Sequence, residues 1–160
     1  MASFQILAGL VAGGVIVLAG WLNPASDLAP AGERVALAAF EGPVRADVVH
    51  VIDGDTFEAN AQIWIGETIA VRVRIAGIDA PELHARCDDE YRRAIAARNY
   101  LAQRIEGGSV RLAQVHEDKY GGRVDADVSD SKGDVGQQMI AKKLARPYLG
   151  GHRGGWCDAA

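Results

Sequence analysis

The hydrophobic pattern divides the chain into an unbroken apolar start, a stretch of small residues and a region with two distinct periodicities. Residues 6–22, ILAGLVAGGVIVLAGWL, hold no charged or strongly polar side chain, and the first basic residue is Arg34. That length is the lower limit for a membrane-crossing helix and long for the core of an export signal. Trp21 at its end suits a membrane interface. The basic start of an export signal is missing, although small-residue cleavage patterns follow at 29–31 and 36–38. Residues 1–22 therefore read as a hydrophobic helix that is either a signal peptide or a membrane anchor. A buried soluble helix is the weaker alternative, because four glycines disfavour it. Residues 23–43, rich in Pro, Gly and Ala, read as a linker, and 44–150 as a folded domain followed by a tail at 151–160.

Within the domain, residues 45–52 alternate and predict a strand, 56–65 a second and 68–76 a third. In the third, Val71, Val73 and Ile75 face one way and Arg72 and Arg74 the other. Gly77 breaks it and Pro81 ends any continuation. Residues 88–106 carry a helical period through Tyr91, Ile95, Ala96, Tyr100, Leu101 and Ile105. Acidic residues 88–90 sit at the helix's positive end, and Gly107-Gly108 stop it. Strands follow at 109–117 and 123–129, then a short helix at 135–144. Five strands interleaved with helices in this order predict an α+β domain: a five-stranded OB-fold β-barrel with two to three helices, preceded by the N-terminal hydrophobic helix.

Composition and charge narrow the function. An apolar content of 49% in 160 residues excludes a disordered chain, and a net charge of −4 argues against gripping nucleic acid by bulk positive charge, though not against a local arginine cluster. If the chain is exported, its two cysteines, Cys87 and Cys157, sit where a disulfide forms and persists; two free thiols are the alternative.

Three polar segments interrupt the strand pattern. In Asp53-Gly54-Asp55-Thr56 the Asp-Gly pair is a strong turn signal, since glycine tolerates positive φ and aspartate bonds back to nearby backbone. The second segment is Arg74-Ile75-Ala76-Gly77-Ile78-Asp79-Ala80-Pro81-Glu82, and the third Asp118-Lys119-Tyr120-Gly121-Gly122-Arg123. Each has a plain reading: a turn, a solvated strand face, a hairpin. Together they offer the parts that phosphodiester hydrolysis needs. Carboxylates and a carbonyl suit a hard cation, an acid can activate water, and two arginines can meet phosphate oxygens as forks. Asp127-Val128-Ser129-Asp130-Ser131 hints at a calcium loop but lacks the EF-hand glycine and closing glutamate, so it reads as a hairpin turn.

In order and spacing these segments resemble the staphylococcal nuclease-like (thermonuclease) family, over roughly residues 45–149. The resemblance implies metal-dependent, chiefly Ca²⁺-dependent, hydrolysis of DNA or RNA with little sequence preference, other divalent cations being possible. It makes Asp55 and Asp79 direct metal ligands with the Ala80 carbonyl beside them, and Asp53 a support for that site. Arg74 and Arg123 would bind phosphate, and Glu82 would position or deprotonate the attacking water. Lys119 and Tyr120 would flank the bound nucleotide end, and Tyr148 could stack on a base. The family spacing places arginine directly after the DKYG-type loop, whereas here Gly122 intervenes. Asp125 and Asp127 add negative charge on the following strand, and the Gly-rich end GGHRGGWCD replaces a third helix, with Trp156 and Cys157 as a possible cap. The expected partners are a nucleic-acid substrate and, through an uncleaved N-terminal segment, a membrane; the expected state is a monomer outside the cytoplasm. The alternative is a weakly active or inactive OB-fold module that binds nucleic acid or protein. The full set Asp55, Asp79, Glu82, Arg74 and Arg123 favours the enzyme, because a binding module has no need of all five.

Overall fold

Alternating β-favouring residues build the strands of a barrel. The structure, a computed structural model, describes residues 42–118 and 121–157. The N-terminal hydrophobic segment, most of the linker, Lys119 and Tyr120 lie outside the described residues. Strand β1 (Val44–Val51) pairs antiparallel with β2 (Thr56–Trp64), which pairs antiparallel with β3 (Glu67–Ile75). The two-residue β4 (Ile78–Asp79) precedes helix α1 (Asp88–Ile105). Strand β5 (Ser109–Glu117) returns beside β1, and β6 (Arg123–Asp130) pairs antiparallel with β5. A short β7 (Gly133–Asp134), helix α2 (Val135–Ala141) and β8 (Arg146–Pro147) complete the described elements.

The barrel closes through a parallel β3–β6 pairing that sets Arg72 opposite Arg123 and Arg74 opposite Asp125. This closed five-stranded barrel with two helices among the described residues is the expected OB-type α+β architecture. The core holds Phe57, Val73, Ile75, Leu101, Leu112 and Met139, all essentially solvent-free. One feature was not readable from alternation: β4 and β8 pair as a separate two-stranded sheet and bring Asp79 directly opposite Arg146. Their pairing depends on a contact 67 residues apart in sequence, for which no local period exists.

Helix α1 buries only part of the expected stripe, Leu101 and Ile105, and completes it with alanines. Ala94, Ala97, Leu101 and Ile105 face the barrel, whereas Tyr91 is exposed. Small alanines let the helix approach closely, and the bulkier Tyr91 and Ile95 fall to the side. Arg98 Nε donates to the Val51 carbonyl at 3.3 Å, and Glu106 accepts from the Val51 amide at 2.8 Å. The helix thereby fixes the end of β1, from which the acidic turn departs. Arg104 binds Asp130 through two 2.9 Å contacts, and Asp130 also accepts from the Lys132 amide, which gives the 127–131 segment a hairpin and ion-pair role. No described helix is long and apolar enough to cross a membrane.

Candidate active site

The turn between β1 and β2 is closed by the Ile52 and Asp53 amides, both donating to the Thr56 carbonyl. Asp53 Oδ1 accepts from the Asp55 amide at 3.0 Å, the aspartate-to-backbone bond that turn chemistry favours. The glycine serves a different end from the one expected. Gly54 does not have positive φ; a Cβ there would lie 2.8 Å from the Cβ atoms of both Ala80 and Ala97. Gly54 is required by close packing against the helix and the Asp79–Ala80 segment.

That packing buries Asp55, which is 8% exposed. Its carboxylate accepts from the Thr56 hydroxyl at 2.8 Å and lies 3.4 Å from both the Ala80 amide and Arg74 Nη2. Burial, with Asp53 nearby, raises the Asp55 pKa to about 6, and Arg74, Thr56 and Ala80 oppose the rise without overcoming it.

Arg74 is the second departure from the sequence pattern. Alternation assigns it to the polar side of β3, yet it is 6% exposed. Besides Asp55 it donates to the Ile78 carbonyl at 2.8 Å and faces Asp125 at 3.8 Å. These partners lock its guanidinium at the strand end. Asp125, a departure from the family pattern in sequence, is therefore part of the clamp on Arg74.

Arg123 opens β6, and its Nε donates to Asp118. The Asp118 amide in turn donates to the Arg123 carbonyl at 3.0 Å. Gly121 and Gly122 both have positive φ, 67° and 64°, so the inserted glycine is taken up in the loop while Arg123 keeps its pairing opposite Arg72.

A cavity of about 390 Å³ gathers Asp53, Asp55, Arg74, Glu82 and Arg123 from the sequence-derived set. It adds Thr56, Arg72 and Arg153, which sequence reasoning did not assign to the site. Asp79 and Ala80 line an adjoining cavity that shares Glu82 and Arg153. Asp79 is 2% exposed and heavily partnered. Arg146 reaches its Oδ2 from Nε at 2.9 Å and Nη2 at 2.8 Å, Trp156 Nε1 donates to the same oxygen at 3.2 Å, and Arg153 Nε lies 3.3 Å from Oδ1. Tyr148 lies under two guanidiniums, Arg74 at 5.8 Å and Arg153 at 5.5 Å, and its hydroxyl donates to the Gly151 carbonyl. Cys87 and Cys157 are bonded to each other. The one available signal for the tail's part was its composition, an arginine and a tryptophan among glycines beside a cysteine.

The donor set can be tested against a hard divalent cation, which takes carboxylate and carbonyl oxygens. Asp55 fits: a buried carboxyl beside a second acid, with too little positive charge nearby to hold its pKa down, is stabilised by a dication. Asp79 carries the right oxygens, and offering one requires the Arg153 contact to open. The Ala80 peptide runs beside Asp55, since its N–H lies against that carboxylate.

A family described as "Staphylococcal nuclease homologue" matches residues 72–153. The span contains Arg74, Asp79, Glu82, Arg123 and the tail as far as Arg153, and begins after the Asp53–Asp55 turn. A probable endonuclease of Schizosaccharomyces pombe is 38% identical over 91 residues, covering 52% of this chain and 38% of that protein, so the chain spans well under half of its length. With just over half of its residues in the family match and a barrel that brings the matched segments together, this chain belongs to the family of staphylococcal nuclease homologues.

Proposed function

We propose that this protein hydrolyses phosphodiester bonds in DNA or RNA with the help of a divalent cation, Ca²⁺ first among them, and with little sequence preference. One observation carries the reading: Asp55, Arg74, Glu82 and Arg123, from three separate segments, line a single cavity. Asp55, Asp79 and the Ala80 carbonyl would hold the cation, which supplies charge neutralisation and polarisation of the phosphate. Arg74 and Arg123 reach the cavity from the end of β3 and the start of β6. Two fixed forks from different strands can hold one phosphate group and meet the charge that develops on it. Glu82 is exposed at the cavity wall, within reach of solvent water, and would accept that water's proton. Lys119 and Tyr120, which precede Arg123 in sequence, would flank the nucleotide end.

Weak sequence preference is supported by the described part of the wall, which is charged and suited to phosphate. The apolar segment at 6–22 and the Cys87–Cys157 bond both support a location outside the reducing cytoplasm, by export or by anchoring.

The test is cleavage of single- and double-stranded DNA and RNA by the purified chain with Ca²⁺, with Mg²⁺ and in EDTA. Cleavage with Ca²⁺ and none in EDTA is expected. Glu82→Gln should lose about 100-fold or more in rate with an unchanged circular dichroism spectrum. Absence of cleavage under every condition would reject the enzyme and leave a binding module.

A further inference from the structure

The C-terminal tail places an arginine on the carboxylates that the proposed reaction uses. Arg153 Nη1 donates to Glu82 Oε1 at 2.6 Å, and its Nε lies 3.3 Å from Asp79 Oδ1. One guanidinium thus bridges the water-activating acid and a cation ligand. Burial opposes its charge, but attraction to Asp79, Asp55 and Glu82 prevails and raises its pKa.

The position is built and yet movable. The Tyr148 ring lies beneath Arg153, and Cys157, four residues on, is bonded to Cys87 at the start of α1. Arg153 itself keeps 38% of its side chain exposed. Glycines flank it on both sides, at 150 and 151 with φ of 98° and 92°, and at 154 and 155. The backbone is fastened at the Gly151, Gly154 and Gly155 carbonyls, which accept from Tyr148 and Arg146, so the movable part is the half-exposed Arg153 side chain.

We propose that Arg153 is a further substrate-binding residue of this site: it neutralises Glu82 and Asp79 until a divalent cation takes Asp79, and then meets a phosphate of the bound strand. This rests on the nuclease reading above. A guanidinium and a dication repel one another at the same carboxylate oxygen, and Arg153 sits on Asp79 Oδ1, the oxygen that Arg146 and Trp156 do not hold, so it is Arg153 that gives way. The same guanidinium occupies Glu82 Oε1, so the exchange also opens that oxygen to water as the cation arrives. The displaced group remains in the cavity with Arg72, Arg74 and Arg123, where a phosphate offers it new acceptor oxygens. Attachment through the disulfide keeps its local concentration high throughout.

Two measurements on the full chain test this without relying on turnover. Calorimetry reads Ca²⁺ binding with no nucleic acid present. Fluorescence anisotropy reads binding of a cleavage-resistant phosphorothioate single strand in saturating Ca²⁺. Arg153→Ala should bind Ca²⁺ about tenfold more tightly and the strand about tenfold more weakly, the size of one unit charge at contact distance in a partly wet site. Arg153→Lys should recover most of the strand affinity. A purely structural role would not move the two affinities in opposite directions. Ca²⁺ affinity that is unchanged or weaker in Arg153→Ala, or unchanged strand affinity, overturns the proposal. A wild-type chain that binds the strand but never cuts it would reject the nuclease reading alone, and both binding comparisons would still decide the part played by Arg153.

Discussion

Asp55 shows how a single buried carboxyl can tie pH to stability and to cation binding. Its folded pKa of about 6 exceeds the ordinary value of 3.8, so protonation favours the folded state. That contribution is full below the unfolded value and is lost as pH rises through about 6. Above that pH the ionised group is a load of up to roughly 3 kcal/mol, which a bound cation relieves. Two consequences are expected. In EDTA, chemical denaturation should show a component of stability that falls between pH 4 and pH 7, and Ca²⁺ should restore it at the upper end. Calorimetry in buffers of different ionisation enthalpy should find close to one proton released per Ca²⁺ bound at pH 5 and almost none at pH 8. Equal proton release at both would remove Asp55 from the cation site. Arg74 shares this environment and shows what alternation alone misses. Its place on the polar side of β3 was legible in the sequence, but its burial was not, because that depends on the Ile78 carbonyl and Asp55 arriving from other segments.

At the level of elements, the acidic turn and α1 are fitted to each other through Gly54 and Ala97. A methyl added at Gly54 would meet both Ala80 and Ala97 at 2.8 Å, and both neighbours are already small. Overpacking of this kind costs about 1–3 kcal/mol. Gly54→Ala should lose that much in a denaturant titration, and because relief pushes on Ala80 or the turn, it should weaken Ca²⁺ binding as well. Ala97→Gly makes room but lowers helix propensity by about 1 kcal/mol. In the double variant it should nonetheless recover part of the loss, and strictly additive effects would rule out packing as the reason for the glycine. Alternation and helical period place the five long strands and both helices within a few residues. The stripe that α1 buries was harder to read, since an alanine face carries little hydrophobic signal and is selected by the backbone it must approach. The same holds for Gly54, where the Asp-Gly pair announces a turn and conceals a close approach.

Over the whole molecule, a chain of net charge −4 assembles a cavity with four arginines, Arg72, Arg74, Arg123 and Arg153, against Asp53, Asp55 and Glu82. Three of the four were visible before the structure, two of them as site residues, because strand register and motif spacing mark them. Arg153 was not, since its place is set by a tail whose route is fixed by long-range contacts: Arg146 to Asp79, Trp156 to Asp79, and Cys157 to Cys87. The disulfide is the strongest of these, and its removal gives a prediction for the domain as a whole. It joins residues 70 apart, for which the chain-entropy account assigns about 4 kcal/mol through restriction of the unfolded chain. Reduction, or Cys157→Ser, should therefore lower the melting temperature by roughly 10 °C or more. It should also steepen the denaturant dependence, because the unfolded chain expands once the link is gone. The folded barrel should keep its secondary structure, since Cys157 lies beyond the last strand. Strand affinity in Ca²⁺ should fall toward that of Arg153→Ala, because the untethered tail no longer holds its arginine at the cavity. A melting temperature that is the same with and without reductant would show that the tail's attachment contributes nothing to the fold. A reduced chain that melts early yet binds the strand as before would show that Arg153 finds the cavity through Tyr148 and Glu82 alone.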